Sequence, residues 1–111
     1  MKVIIAGSRD ITDYGLVEKA VRDAGFTITE VVSGKAKGVD TLGELWAKAH
    51  GVPVKEFPAH WEIGKSAGYR RNVDMANYSD ALILVHNGSK GSIHMKNIAI
   101  QKGLRVYEVR V

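Results

Sequence analysis

Three short loops carry the residue types that hold anions: Gly7-Ser8-Arg9-Asp10, the stretch from Ser33-Gly34-Lys35 to Gly38, and the run from Asn87-Gly88 to Gly91-Ser92. Each follows an apolar run, and the second and third lead directly into a segment of helical period. A helix that starts at such a turn presents N–H groups with no intrahelical partner, together with about half a positive charge. Glycine at these turns supplies positive φ and lets a phosphate approach the backbone. Arg9 offers a bidentate fork, Lys35 and Lys37 offer charge, and Ser8, Ser33, Ser89 and Ser92 offer hydroxyls. A fourth group, Arg70-Arg71-Asn72, opens another helix. There a guanidinium can clamp a phosphate and an amide can bond a ribose or a base edge. Acid or base work falls by default to Asp40 and Glu44, one turn apart on the helix after the second loop. The plainer readings of this pair are a first-turn capping carboxylate for Asp40 and a solvated Glu44–Lys48 pair.

Several chemistries find no support in the residues. The dinucleotide fingerprint GxGxxG is absent, and Gly34 to Gly38 lacks the GK[ST] ending of a triphosphate loop. No GxSxG elbow marks a serine nucleophile. With no cysteine, and with His50, His60, His86 and His94 at no ligand spacing, no metal site is expected. No cofactor is required beyond the bound molecule itself.

The elements that position these loops follow from the hydrophobic pattern. Apolar runs at Lys2–Ala6, Thr29–Val32, Val52–Phe57, Ala81–Val85 and Arg105–Val109 read as strands. Helical periods run over Tyr14–Ala24, Val39–Ala49, about Gly68–Tyr78 and about Ser92–Lys102, with Thr12 and Asp13 placed to cap the first and Gly25 to close it. In the second helix Val39, Leu42, Leu45, Trp46 and Ala49 share one face, expected to dock on the sheet. A long connection runs from Pro58 to about Ser66. Strict alternation of strand and helix implies right-handed crossovers and a parallel sheet covered on both faces. Ligands of such sheets bind beyond the strands' carboxyl ends, where all four polar groups fall.

The chain has 111 residues, enough for one domain, expected to span 1–111. Its net charge of +4 favours an anionic partner without choosing between a small phosphate compound and nucleic acid. Val3–Ala6 is far short of a signal-peptide core and no run approaches the ~20 apolar residues of a membrane span. A cytoplasmic protein with no membrane partner is the expectation.

Taken as strings, GSRD, VVSGKAKGVD followed by LGELWA, PVKEFPAHW, GKSAGYRRNVDMA and SDALILVHNGSKGSIHM resemble the YspA-like (DUF2493) branch of the SLOG superfamily, over Val3 to Val106. The broader superfamily takes in the LOG phosphoribohydrolases and the DNA-processing protein DprA. The resemblance implies an α/β, Rossmann-like three-layer sandwich whose five parallel strands lie in the order 3-2-1-4-5. It also implies a nucleotide or nucleotide-derived ligand, such as an NAD or ADP-ribose derivative or a nucleoside phosphate, bound by a sensor or processing domain of phage or bacterial type. Carried over by position, ligand contacts fall at Gly7, Ser8, Arg9, Ser33, Gly34, Gly38, Asp40, Arg71, Asn72, Gly88, Gly91 and Ser92, with Lys35 adding charge. The chain departs from the family pattern at Lys35, where glycine is usual, and at Lys37, where arginine is usual. It also has Asn87-Gly88 and Gly91-Ser92 in place of Asp-Gly and Gly-Thr. The glutamate of the LOG motif PGGxGTxxE has no counterpart between Gly88 and Met95. An N-glycosidase reading therefore rests on Asp40 or Glu44 alone. Single-stranded nucleic acid is the lesser alternative, because only Trp61 and Tyr69 interleave with the arginines. A homodimer is compatible with the sequence, with Trp46, Trp61 and Tyr78 as interface or core residues.

Overall fold

Strand and helix alternate along the chain because each apolar run is too short and too β-branched to be a buried helix, and each of the first four is followed by a segment of helical period. A computed structural model describes residues 1–64 and 66–111; Lys65, inside the connection expected from Pro58 to about Ser66, lies outside the described residues. The elements are β1 (Lys2–Gly7), α1 (Tyr14–Ala24), β2 (Glu30–Ser33), α2 (Val39–Ala49), β3 (Val54–Glu56), α3 (Ala67–Tyr78), β4 (Ala81–His86), α4 (Lys90–Gln101) and β5 (Arg105–Arg110), with a 3-10 turn at Trp61–Ile63. The strands form one five-stranded sheet in the order β3-β2-β1-β4-β5, every pair parallel. This is the Rossmann-like α/β arrangement and strand order that the resemblance implied.

Alternate residues of the strands feed two cores. On one face Val3, Ile5, Val31 and Ile83 meet Val17, Val21, Val39, Leu42 and Trp46 of α1 and α2. On the other, Ile4, Ala6, Val32, Leu82 and Leu84 meet Met75, Ala76, Met95 and Ala99 of α3 and α4. β4 is buried at all six positions, as a central strand covered on both faces must be.

Local signals fix most of the boundaries. Asp13 caps α1 by accepting from Gly15 N–H at 2.9 Å, and Gly25 ends it at φ 69°. The packing face of α2 departs from expectation: Leu45 is 51% exposed, while Gly43 and Ala47 take the buried side with Val39, Leu42 and Trp46. Gly43 is the cause, because a Cβ there would come within 2.8 Å of Ile5, so its absence lets the helix roll toward that side. β3 is shorter than its apolar run, and α4 begins at Lys90 rather than Ser92.

The connection through α1 carries the chain from β1 to one side of the sheet, and the connection through α3 brings it back to β4 on the other. Their divergence leaves a crevice beyond the carboxyl ends of β1 and β4, the usual place for a ligand in an open parallel sheet.

Candidate functional site at the β1/β4 switch point

A cavity of about 440 Å³ occupies that crevice, within the size range of small-molecule sites. Gly7 and Arg9 enter it from the end of β1, Ala36 and Asp40 from the start of α2, and Arg71 and Asn72 from α3. Asn87, Ser89, Gly91 and Ser92 enter from the β4–α4 turn, and the thioether side chains Met75 and Met95 give it apolar lining. Gly7 is required by close packing, since a Cβ would fall 1.8 Å from the Val85 carbonyl oxygen.

Ser8 is buried beneath the cavity and ties two loops together. Its hydroxyl donates to Asn87 Oδ1 at 2.8 Å, accepts from Asn87 N–H at 3.0 Å, and lies 3.0 Å from Ser89 Oγ. Ser89 in turn donates to Ser92 Oγ at 2.7 Å, and the Asn87 amide donates to both Asp10 carboxylate oxygens. This network holds the mouth of α4 in place. The backbone N–H groups of Lys90, Gly91 and Ser92 have no acceptor among the described residues, the first helical bond being Ile93 N–H to Ser89 O at 3.0 Å. No acidic side chain occupies that first turn.

Arg71 is half-buried beside this opening. Its Nη1 donates to the Gly34 carbonyl, and its Nε donates to Asn72 Oδ1 at 3.1 Å. That bond orients the Asn72 amide so that its NH2 group donates to His94 Nδ1 at 3.1 Å. His94 therefore keeps Nδ1 free of a proton, in agreement with burial lowering its pKa. Burial also pulls the Arg71 pKa down, with Asp40 acting in the opposite sense and Arg9 in the same one.

Asp40 is the buried acid of the site, only 4% exposed. Burial raises its pKa from the ordinary 3.8 to about 6, against the opposing pull of Arg71 and of hydrogen bonds from the Ala36 and Gly7 backbone. Half-protonated near pH 6, it can donate or accept a proton.

The other residues named from the sequence lie off the cavity wall. Ser33 is buried and donates to Glu44 Oε2 at 2.5 Å, and Lys35 Nζ reaches Glu44 Oε1 at 3.0 Å and Glu56 at 3.3 Å. Glu44 is thus engaged on the far side of the loop. Lys35 adopts φ 62°, a left-handed conformation that glycine takes at little cost. Gly34 serves as acceptor for Arg71. Gly38 sits at φ 75°, where a Cβ would come 2.3 Å from Ser8 O, so it docks one loop on the other. Gly88 forms the turn after β4 beneath Arg110. Ser89, expected as a hydroxyl donor, lines the site, and Asp10, Asn87 and the two methionines line it without having been expected as ligand contacts. Asn87 and Ser89 were legible as polar neighbours of Gly88, whereas the methionines look like any core residues.

Among the described residues no group of three or more His, Cys, Asp or Glu side chains is gathered as metal ligands, and no helix is long and apolar enough to cross a membrane.

A parallel sheet of this order, with a ligand-sized cavity at its switch point, defines a Rossmann-like α/β protein. The chain belongs to the YspA, cpYpsA-related SLOG family, whose sequence model matches residues 1–64. In three dimensions it is similar to DNA processing protein A (DprA) from Streptococcus pneumoniae, with a TM-score of 0.80 at 20% identity over 96% of this chain. The chain spans about half of that protein, 49% of its length, and the likeness is one of fold. No curated protein matches the sequence.

Proposed function

We propose that the protein binds a nucleotide or nucleotide-derived molecule, of nucleoside-phosphate or ADP-ribose type, as a sensor or processing domain. The observation that carries this reading is the meeting, in one cavity, of two guanidinium groups, Arg9 and Arg71, with the unpartnered first-turn N–H groups of α4. A phosphate placed there gains charge-assisted hydrogen bonds from both sources. Asn72 and Asp40 line the same wall, and in this reading they meet the ribose.

A second reading follows from Asp40. A buried carboxyl with a pKa near 6 on the wall of the cavity has the properties of a general acid or base, which fits cleavage of an N-glycosidic bond. Glu44, engaged by Ser33 and Lys35, supports that role less well. Release of free base from a nucleotide, and its loss in Asp40→Asn, distinguishes processing from binding.

A thermal-shift panel of AMP, NAD, ADP-ribose, nucleoside triphosphates and a short single-stranded oligonucleotide, at two salt concentrations, tests the proposal. A ligand at ~100 times its Kd adds about 2.7 kcal/mol, a shift of several degrees for a domain of this size. A salt-tolerant shift with a small nucleotide is expected. A response to the oligonucleotide alone, confined to low salt, would replace the nucleotide reading with nucleic-acid binding through the basic surface.

A further inference from the structure

Beside the main cavity lies a second recess of about 190 Å³, and the two share Arg9, Arg71, Asn72 and Gly91. Its remaining walls include two aromatic side chains that the sheet does not need. Trp61 is 53% exposed and Tyr69 is 47% exposed, and neither belongs to either core. Large aromatics left in water next to a polar cavity call for a reason.

Both rings are held in place. Trp61 lies against Gly68 so closely that a Cβ there would come within 2.9 Å of its Cη2, and the Arg9 guanidinium sits 5.8 Å from its ring centre. Tyr69 packs on His94, ring centres 4.5 Å apart and tilted by 56°. The space these rings border is below the roughly 300 Å³ of a complete small-molecule site, so it suits one planar ring system.

We infer that this recess is a base-stacking subsite, in which a nucleobase lies on Trp61 and Tyr69 while its phosphate occupies the main cavity. The inference rests on the nucleotide reading above and adds which part of the ligand goes where. Its ribose then crosses the shared edge formed by Arg71, Asn72 and Gly91. Recognition through ring faces is tolerant of base identity, because every base presents a π surface. The Asn72 amide, already bonded to Arg71 and His94, has little left for reading a base edge. The ligand class is therefore a nucleoside phosphate or ADP-ribose-like compound chosen for having a base, with purines favoured by their larger stacking area.

The test compares AMP and ADP-ribose with ribose 5-phosphate by calorimetry, in the wild type and in Trp61→Ala, Trp61→Phe and Tyr69→Ala. Both aromatics are exposed, so these variants are expected to fold. The base-bearing ligands should bind roughly 10-fold or more tightly than ribose 5-phosphate, the scale of one stacked base. Trp61→Ala should erase most of that advantage and leave ribose 5-phosphate unchanged, whereas Trp61→Phe should keep much of it. Equal affinity for AMP and ribose 5-phosphate in the wild type, or an advantage that survives both alanine variants, overturns the subsite and leaves the phosphate site standing. If none of the three compounds binds, the nucleotide reading fails and the subsite with it.

Discussion

The loops before α2 and α4 share one local grammar, a buried strand followed by glycine, serine, lysine and a helix, yet they differ in how far the helix start is already filled. Before α2 much of the loop is satisfied from within: Lys35 N–H bonds Ser33 Oγ, Ala36 N–H bonds the Asp40 carboxylate at 3.3 Å, and Val39 N–H bonds Ser8 O, which leaves the Asp40 and Thr41 N–H groups without an acceptor among the described residues. Asp40 brings its own negative charge to that first turn. Before α4 three successive N–H groups lack acceptors and no acid is present. A glycine loop at a helix start marks a turn; whether it is an anion site depends on what already fills it. In this molecule the second loop builds the wall and supplies an acid, and the third is the one to which the proposed function assigns a ligand's phosphate.

The sharpest way to break this contrast is a pair of glycine substitutions. Gly38→Ala combines a positive φ with overlap on the Ser8 and Arg9 carbonyls, and should destabilise the protein by on the order of 3 kcal/mol or more in denaturant unfolding. Gly91→Ala meets nothing within 4 Å, and in a helix's first turn it should be neutral or stabilising by up to about 1 kcal/mol. Equal costs at the two positions would contradict the difference drawn between the loops.

Next in size is Arg71→Ala, which removes the half-buried guanidinium facing α4. The affinity for a nucleotide should fall by roughly 1.5–3 kcal/mol, the scale of a hydrogen bond to a charged group. Unchanged calorimetric affinity would take Arg71 out of the site.

Asp40 gives a smaller, pH-dependent effect. Its pKa is higher folded, about 6, than the ordinary 3.8, so ionising it costs stability at neutral pH, and that cost fades as pH falls through about 6 toward 3.8. Between pH 7 and pH 5 the wild type should gain about 1 kcal/mol relative to Asp40→Asn. A constant difference between the two unfolding curves over that range would show that the carboxyl is not perturbed.

The smallest change is expected from Lys35→Gly. It relieves a left-handed lysine while losing two partly exposed ion pairs, terms of about 1 kcal/mol each and opposite sign. Stability should stay within about 1 kcal/mol, and nucleotide affinity should not move, since the side chain points at Glu44 and Glu56.

Strand and helix order were legible because each apolar run is short and segments of helical period separate the runs, with the clearest end signals at Asp13 and Gly25 of α1. The strand order came from the resemblance, since alternation alone does not say on which side of β1 the chain returns. The site was legible in part. Gly7, Arg9, Asp40, Arg71, Asn72, Gly91 and Ser92 line the cavity, but Ser33, Lys35 and Glu44 form their own cluster behind it, a distinction that depends on side-chain direction across two elements. The helical period starts α4 at about Ser92, whereas the structure starts it at Lys90 after Ser89, which determines which amides are open. Gly43, an ordinary helix glycine in the sequence, turns Leu45 outward because only contact with Ile5 gives it meaning.

The central claim, that the open mouth of α4 rather than the filled loop before α2 receives the ligand's phosphate, is tested most directly by amide chemical-shift mapping during titration with ADP-ribose or AMP. Saturable shifts should be largest at Lys90, Gly91 and Ser92, with Lys35 to Gly38 moving little. Saturable shifts concentrated at Lys35 to Gly38, with α4's first turn unmoved, would contradict it.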